Sequence, residues 1–453
     1  LFDNITVHAL SLVTSKDNTI SYNLFNDTGI FWHSVMDYSG ERNNYNNNTF
    51  DKCGSQQPYW GHSCMMIVYN WGLSWDDRYG GEHLFENNQF FDFQIGINIE
   101  SFQNNNTVRN NSFNNGWNAI GLWGWPEGGT ASSGNLIANN KINNTDYPIA
   151  LDFEKANYPG IDNMIVSNIM TNTAGRAISV WGCYQNFTIK DNYVDNASVG
   201  IWIFDNTFGD ISNGIVTNNI LKNITYNGIS AYTQFGSSIS MDNIHVKNNF
   251  IHTISGVGIF FRDVEEGYIA NNTVQANMSA NSQVSGILAN NVPKTMIKNN
   301  TVSSAIGIEV GGSKDTTLPI KIENNVLHVN DYGIISNRTY SQITGNNVTG
   351  FCTHDKCNIL YLQKVGAVGV FSQEGEIDVF DNKITDFKEG VTVVLADFNI
   401  DGNIIDFSGV AISANNSDGT ISNNIITNNT QTISAFKSHI TILSNDFSDF
   451  EKG

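Results

Sequence analysis

Hydrophobic and polar residues alternate with period two in short runs along nearly the whole chain, and each run stops at a cluster of Asn and Gly. Such alternation marks strands buried on one side. One recurring phrase is Gly-Ile-X-Ile and its variants: "GINIES" at 96, "GIWIFD" at 200, "GISAYT" at 228, "GIFFRD" at 258, "GILANN" at 286, "GIEVGG" at 307 and "GVTVVL" at 390. A second, Asn-Asn-X-Ile/Val/Phe, falls between the copies: "NNSFNN" at 110, "NNKINN" at 139, "NNILKN" at 218, "NNFIHT" at 248, "NNTVSS" at 299 and "NNIITNN" at 423. The period is roughly 20 to 34 residues, with two or three short strands per unit. Asn tolerates the left-handed conformation that tight corners need, and stacked copies exchange amide hydrogen bonds. The pattern predicts an all-β protein, a parallel β-solenoid of about seventeen coils whose inward Ile, Val and Phe stack at ~4.8 Å.

This repeat resembles the right-handed parallel β-helix of the pectate-lyase-like superfamily. It is most similar to the Asn-rich repeats of the NosD-like and carbohydrate-binding/sugar-hydrolase group. The resemblance spans nearly all of the chain and implies a single β-helix domain over residues 1–453. It implies no one activity, since that superfamily holds lyases, hydrolases, epimerases, tailspikes, adhesins and structural surface proteins. The polygalacturonase-type phrases are missing: Asn144-Thr145-Asp146 is present, but Asp76-Asp77 precedes it and the His and Arg phrases are absent. The Asp-Pro-His phrase of alginate epimerases is absent too.

Aligning the Gly-Ile phrases exposes an outward column. With Ile97 and Ile99 inward, Asn98 and Glu100 point out, followed by Gly121 and Trp123, then Ala150 and Asp152 with Glu154 beyond. Ser179 and Trp181, Trp202 and Phe204, Ser230 and Tyr232, and Phe260 and Arg262 continue it. All nine tryptophans lie at or before Trp202. The chain thus divides into long-loop N-terminal coils over 29–93, aromatic-faced coils over 94–284 and plainer coils over 285–453. Aromatic faces interleaved with carboxylates suit a sugar chain, whose C–H faces stack on rings while its hydroxyls take polar bonds. Two other readings stay open: a satellite core under loops 70–93, 125–135 and 153–163, or a lateral protein–protein surface.

Glu100, Asp152 and Glu154 are the candidate acid/base residues for glycoside hydrolysis, which needs two carboxyls at set separations. Trp123, Trp125, Trp181, Trp202, Phe204, Tyr232 and Arg262 are the candidate substrate contacts. In the loop "NWGLSWDDRYGGEH" at 70, Asp76, Asp77 and His83 are further candidates, and the carboxylate oxygens there would suit Ca²⁺. No cofactor is required by this chemistry. Arg262-Asp263 with Glu265-Glu266 would serve a lyase, a weaker reading.

The formal charge of −20, from 23 basic and 43 acidic residues spread without runs, argues against nucleic acid and against insertion into or adsorption on anionic membranes. Cys53 with Cys64, and Cys352 with Cys357, are spaced to staple loops in an oxidising compartment, and five reduced thiols are the alternative. About sixteen Asn-X-Ser/Thr sequons occur, among them Asn186, Asn196, Asn223, Asn277 and Asn337. They fit N-glycosylation, although Asn-rich turns also generate them unaided. No leader is visible, no apolar run approaches the ~18 residues of a membrane span, and Leu1 already sits inside a repeat. The expectation is a secreted or cell-surface protein that engages a polysaccharide, with glycoside hydrolysis of a neutral or weakly charged glycan as its enzymatic form. The rival is a non-catalytic surface-layer, sheath or fibre subunit or adhesin, capable of self-assembly.

Overall fold

A computed structural model describes residues 1–5, 8–29, 33–53, 62–68, 80–100, 102–123, 131–153, 159–205, 211–234, 241–276, 284–312, 318–350, 368–406 and 408–448, and none of these is helical. Two compact units form: Leu1–Thr225 with Ile229–Ile244, and Tyr226–Gly228 with His245–Gly453. Each is a parallel β-helix, in which every strand pairs in parallel with its counterpart one coil away.

The Asn-Asn phrase builds the corner. Its first asparagine is left-handed, as at Asn110, Asn139 and Asn218, each with φ 56°. That turn drives the second asparagine into the interior. In the first unit Asn23, Asn48, Asn88, Asn111, Asn140, Asn168, Asn192 and Asn219 form a ladder, each backbone N–H donating to the next Oδ1 at 2.9–3.0 Å. The second unit repeats it through Asn272, Asn300, Asn325, Asn346, Asn382, Asn403 and Asn424. Buried backbone donors at a corner would otherwise go unpaired, at about 1–3 kcal/mol each.

Between corners the interior is apolar. Phe2, Phe25, Phe50, Phe90 and Phe113 stack at 4.5–4.9 Å in nearly parallel planes. Ile97, Ile120, Ile149, Ile178, Ile201 and Ile229 align in register, fully buried. The glycine of the Gly-Ile phrase is needed for close approach: in the second unit a Cβ on Gly307 would meet Gly333 O at 2.4 Å, and one on Gly333 would meet Gly369 O at 2.3 Å.

His83 corrects the sequence reading. Rather than a loop group, it occupies an interior ladder position, 1% exposed, in the series Asn18, Asn43, His83, Asn106, Asn135 and Asn163. Its Nδ1 accepts from the Asn43 N–H at 3.2 Å. The fully buried Asp37 lies beside it, with Oδ2 accepting from Asn43 Nδ2 at 2.8 Å and Tyr45 Oη at 2.6 Å. Burial holds the His83 imidazole below its usual value although Asp37 pulls the other way. Cys53 and Cys64 form a disulfide with Cα atoms 5.2 Å apart, and Cys183 is a buried thiol.

Candidate functional site

In the first unit, the outward column falls in register. Trp123 pairs with Asp152, Asp152 with Trp181, Trp181 with Phe204, and Phe204 with Tyr232. These five side chains are partly exposed. The neighbouring column, Asn98, Gly121, Ala150, Ser179, Trp202 and Ser230, is buried and mostly small, and makes a floor.

The large rings do not all stand outward. A Cβ on Gly121 would lie 2.8 Å from Trp123 Nε1, so this indole lies across the glycine. Its ring meets Trp117 edge-on at 5.8 Å, and Trp117 meets Tyr147 at 5.6 Å. A second cluster follows: Trp202 stacks on Phe204 at 4.9 Å, Tyr232 tilts against Phe204 at 5.0 Å, and Trp202 Nε1 donates to Tyr232 Oη at 2.9 Å. Trp202 is only 7% exposed, which corrects its expected role as an open platform. Asp152 lies in register between the two aromatic groups.

Arg176 was not foreseen. Its Cζ sits 3.3 Å from the centre of the Trp202 ring. Strict alternation from the inward Ile178 would turn Arg176 into the core, but the register shifts between Thr173 and Arg176 and re-aims it. Tyr147 is hidden from strict alternation for the same reason, two residues before the inward Ile149 and next to a register shift between Asn143 and Ile149. Burial pulls the guanidinium below its ordinary value, while Tyr147, Tyr232 and Asp152 pull it back, and an arginine so placed stays charged.

Glu100 is also corrected. Its N–H donates to Ile67 O at 2.8 Å, and the residue is 4% exposed, not open on the groove. By strand spacing it lies two coils, ~9.6 Å along the stack, from Asp152. Glu154, Trp125, Asp76, Asp77, Cys352, Cys357 and Asn277 lie outside the described residues, as do residues 70–79, 125–130 and 154–158 of the loops expected to cover this face. Arg262 belongs to the second unit, where its Nε is 3.6 Å from Asp263 Oδ2 and its Cζ 6.0 Å from the Phe260 ring. Asn186, Asn196, Asn223 and Asn337 are all exposed. Among the described residues no group of three His, Cys, Asp or Glu is arranged to hold a metal ion. A shallow depression of about 440 Å³ on the strand segments before the Asn115 and Asn144 corners is lined by Phe91, Asn114, Lys141, Asn143 and Ile169, with no carboxylate.

Residues 68–211 match the family model described as right handed beta helix region. No curated protein matches the chain in sequence. Similar solved structures include a mutant tailspike protein of E. coli bacteriophage HK620 (11% identity, 94% of this chain and 73% of that one, TM-score 0.46). The same phage's tailspike in complex with a pentasaccharide gives 12% identity over 94% and 74%, TM-score 0.34. The A-module of an Azotobacter vinelandii mannuronan C-5 epimerase gives 12% identity over 90% of each chain, TM-score 0.33. The chain folds as a right-handed parallel β-helix, and the matched β-helix region lies inside its first unit.

Proposed function

We propose that the protein is a secreted or cell-surface polysaccharide binder, and that the sugar chain lies along the outward face of the first unit. The observation that carries this reading is the register column Trp123, Asp152, Trp181, Phe204, Tyr232, which sets ring faces and a carboxylate along one line of partly exposed positions. Rungs ~4.8 Å apart match the scale of a sugar ring, so a chain crossing the coils meets a ring or a polar group at every step. Hydrolysis is the enzymatic extension, with Asp152 as one carboxyl. The burial of Glu100 favours binding without turnover, because an acid or base must reach the glycosidic oxygen or a water beside it. The expected outcome is retention on a glycan array that Trp181→Ala weakens by roughly tenfold, as befits loss of one stacking face. Reducing-end release by the wild type that Asp152→Asn abolishes would establish the hydrolase. An array without any retained glycan removes the whole reading.

A further inference from the structure

Arg176 differs from every other described arginine. Arg42 pairs with Asp17 at 2.7 Å, Arg109 with Glu86 at 2.9 Å and Arg338 with Glu374 at 2.8 Å, while Arg262 lies 3.6 Å from Asp263. Among the described residues the Arg176 side chain has no ion pair and no hydrogen bond, and its guanidinium packs on the Trp202 ring. Acidic residues outnumber basic ones nearly two to one in this chain, so a cation without a carboxylate partner is a departure from its pattern. The position is also partly desolvated and held in place, since Trp202 is fixed by its bond to Tyr232 and its stack on Phe204.

A guanidinium at 3.3 Å from an indole centre is in van der Waals contact with the ring, and its N–H donors lie around its rim, free to meet a planar acceptor. Carboxylates match that fork with two parallel hydrogen bonds. Among the described residues the alternatives are poor. Asp152 is the carboxylate whose charge acts on Arg176, but the two form no ion pair. A half-buried cation with no direct ion pair among the described residues is less well compensated than a paired one, and a ligand anion would recover the difference.

The geometry points to an acidic-sugar subsite: the glycan that lies on this face carries a carboxylate-bearing residue, seated on Arg176 between the Trp117–Tyr147 and Trp202–Tyr232 clusters. This rests on the glycan-groove reading and narrows it, replacing the neutral chain suggested by overall charge with one that meets a local cation on an acidic protein. A polyanion of high charge density would be repelled by the surrounding acids, so the fitting chain has its carboxylates diluted by neutral sugars.

The test uses the full chain and matched probes: an oligosaccharide of alternating glucuronate and N-acetylhexosamine, its carboxyl-reduced product, and dextran sulfate. Stronger binding of the carboxylated probe by about tenfold to a hundredfold is expected, the worth of a charge-assisted hydrogen-bond pair. Arg176→Gln should erase that preference while leaving weak binding of the reduced probe, and Arg176→Lys should restore part of it by charge without the fork. Circular dichroism of each variant confirms the fold, and Arg176→Lys carries the test if Arg176→Gln misfolds. Equal binding of the carboxylated and reduced probes overturns the acidic subsite and leaves the groove standing. Preference for dextran sulfate overturns it as well, in favour of general anion attraction. Absence of binding to every glycan probe overturns both readings together.

Discussion

In the first unit, His33 Nδ1 accepts a hydrogen bond from the Ser63 backbone N–H at 3.1 Å and lies 2.8 Å from Ser63 Oγ. His33 is 3% exposed, and its ring stacks at 6.2 Å on His8, one coil away. Burial, with His8 and His62 adding repulsion, holds the imidazole down at about 3.

Acid should therefore destabilise the first unit. The folded value lies below the ~6.5 of an unfolded histidine, so the unfolded chain binds the extra proton. Stability is fully present above ~6.5 and falls as pH drops from there towards 3, by on the order of 5 kcal/mol for His33 if the fold persisted. His83, depressed by burial in the same unit, acts in the same direction. Hydrogen exchange resolved along the chain at pH 7, 5.5 and 4.5 should show protection lost first over residues 33–53 and 80–100. His33→Gln should flatten the dependence. An exchange pattern over those residues that does not respond to pH would refute the assignment.

The two asparagines of one phrase should respond oppositely to substitution. Asn140 Oδ1 accepts from both the backbone N–H and the Nδ2 of Asn111, each at 3.0 Å. Asn140→Ala orphans buried donors and should cost about 2–4 kcal/mol. Asn139 is left-handed at φ 56° and takes no part in the ladder, so Asn139→Gly should be nearly neutral. Urea midpoints of the two variants decide it, and a similar loss in both would show that the corner conformation, not the ladder, holds the coil.

Gly333 offers a steric test in the second unit. A Cβ there would sit 2.3 Å from both Gly369 O and Val348 Cγ1, one a backbone atom unable to yield. Gly333→Ala should cost more than about 3 kcal/mol, in the range of severe overpacking. Gly312, at φ +75° with nothing nearer than Asn291 N at 3.7 Å, carries only the left-handed penalty, about 1–2 kcal/mol on substitution by Ala. Thermal melts in which the two variants lose equal stability would rule out the close-approach account of the Gly-Ile phrase.

These positions show how much the residues disclose unaided. The Asn-Asn and Gly-Ile phrases repeat because corner geometry and inter-coil spacing repeat, so coil and column follow from counting. The register of Trp123, Asp152, Trp181, Phe204 and Tyr232 is legible in that way. Arg176 and Tyr147 are not, because a register shift at a corner breaks the parity on which counting relies. The burial of His83 is hidden for a different reason. Its neighbours Arg78, Gly81 and Glu82 read as a loop, and only the ladder of the adjoining coils reveals that position 83 stands where the others place Asn. Likewise the tilt of Trp123 across Gly121 depends on Trp117, a contact no linear spacing specifies.

The disulfide supplies the last prediction. Cys53 and Cys64 are fully buried and separated by 11 positions in sequence, so the bond closes a short loop next to the strand Ser63–Val68. In the chain-entropy account, cross-linking a loop of this length removes about 3 kcal/mol of unfolded-state freedom. Reduction should thus lower the stability of the first unit by about that amount and leave the second unit unchanged, since no residue of the bond belongs to it. Two measurements are needed. Peptide mapping without reductant should recover residues 53 and 64 in one cross-linked species, and chain-resolved hydrogen exchange should show faster opening over residues 33–68 once dithiothreitol is added. Cys53→Ser should reproduce the reduced behaviour and abolish the response to dithiothreitol there. Equal sensitivity of both units to reductant would mean that this bond is not what ties down the early coils.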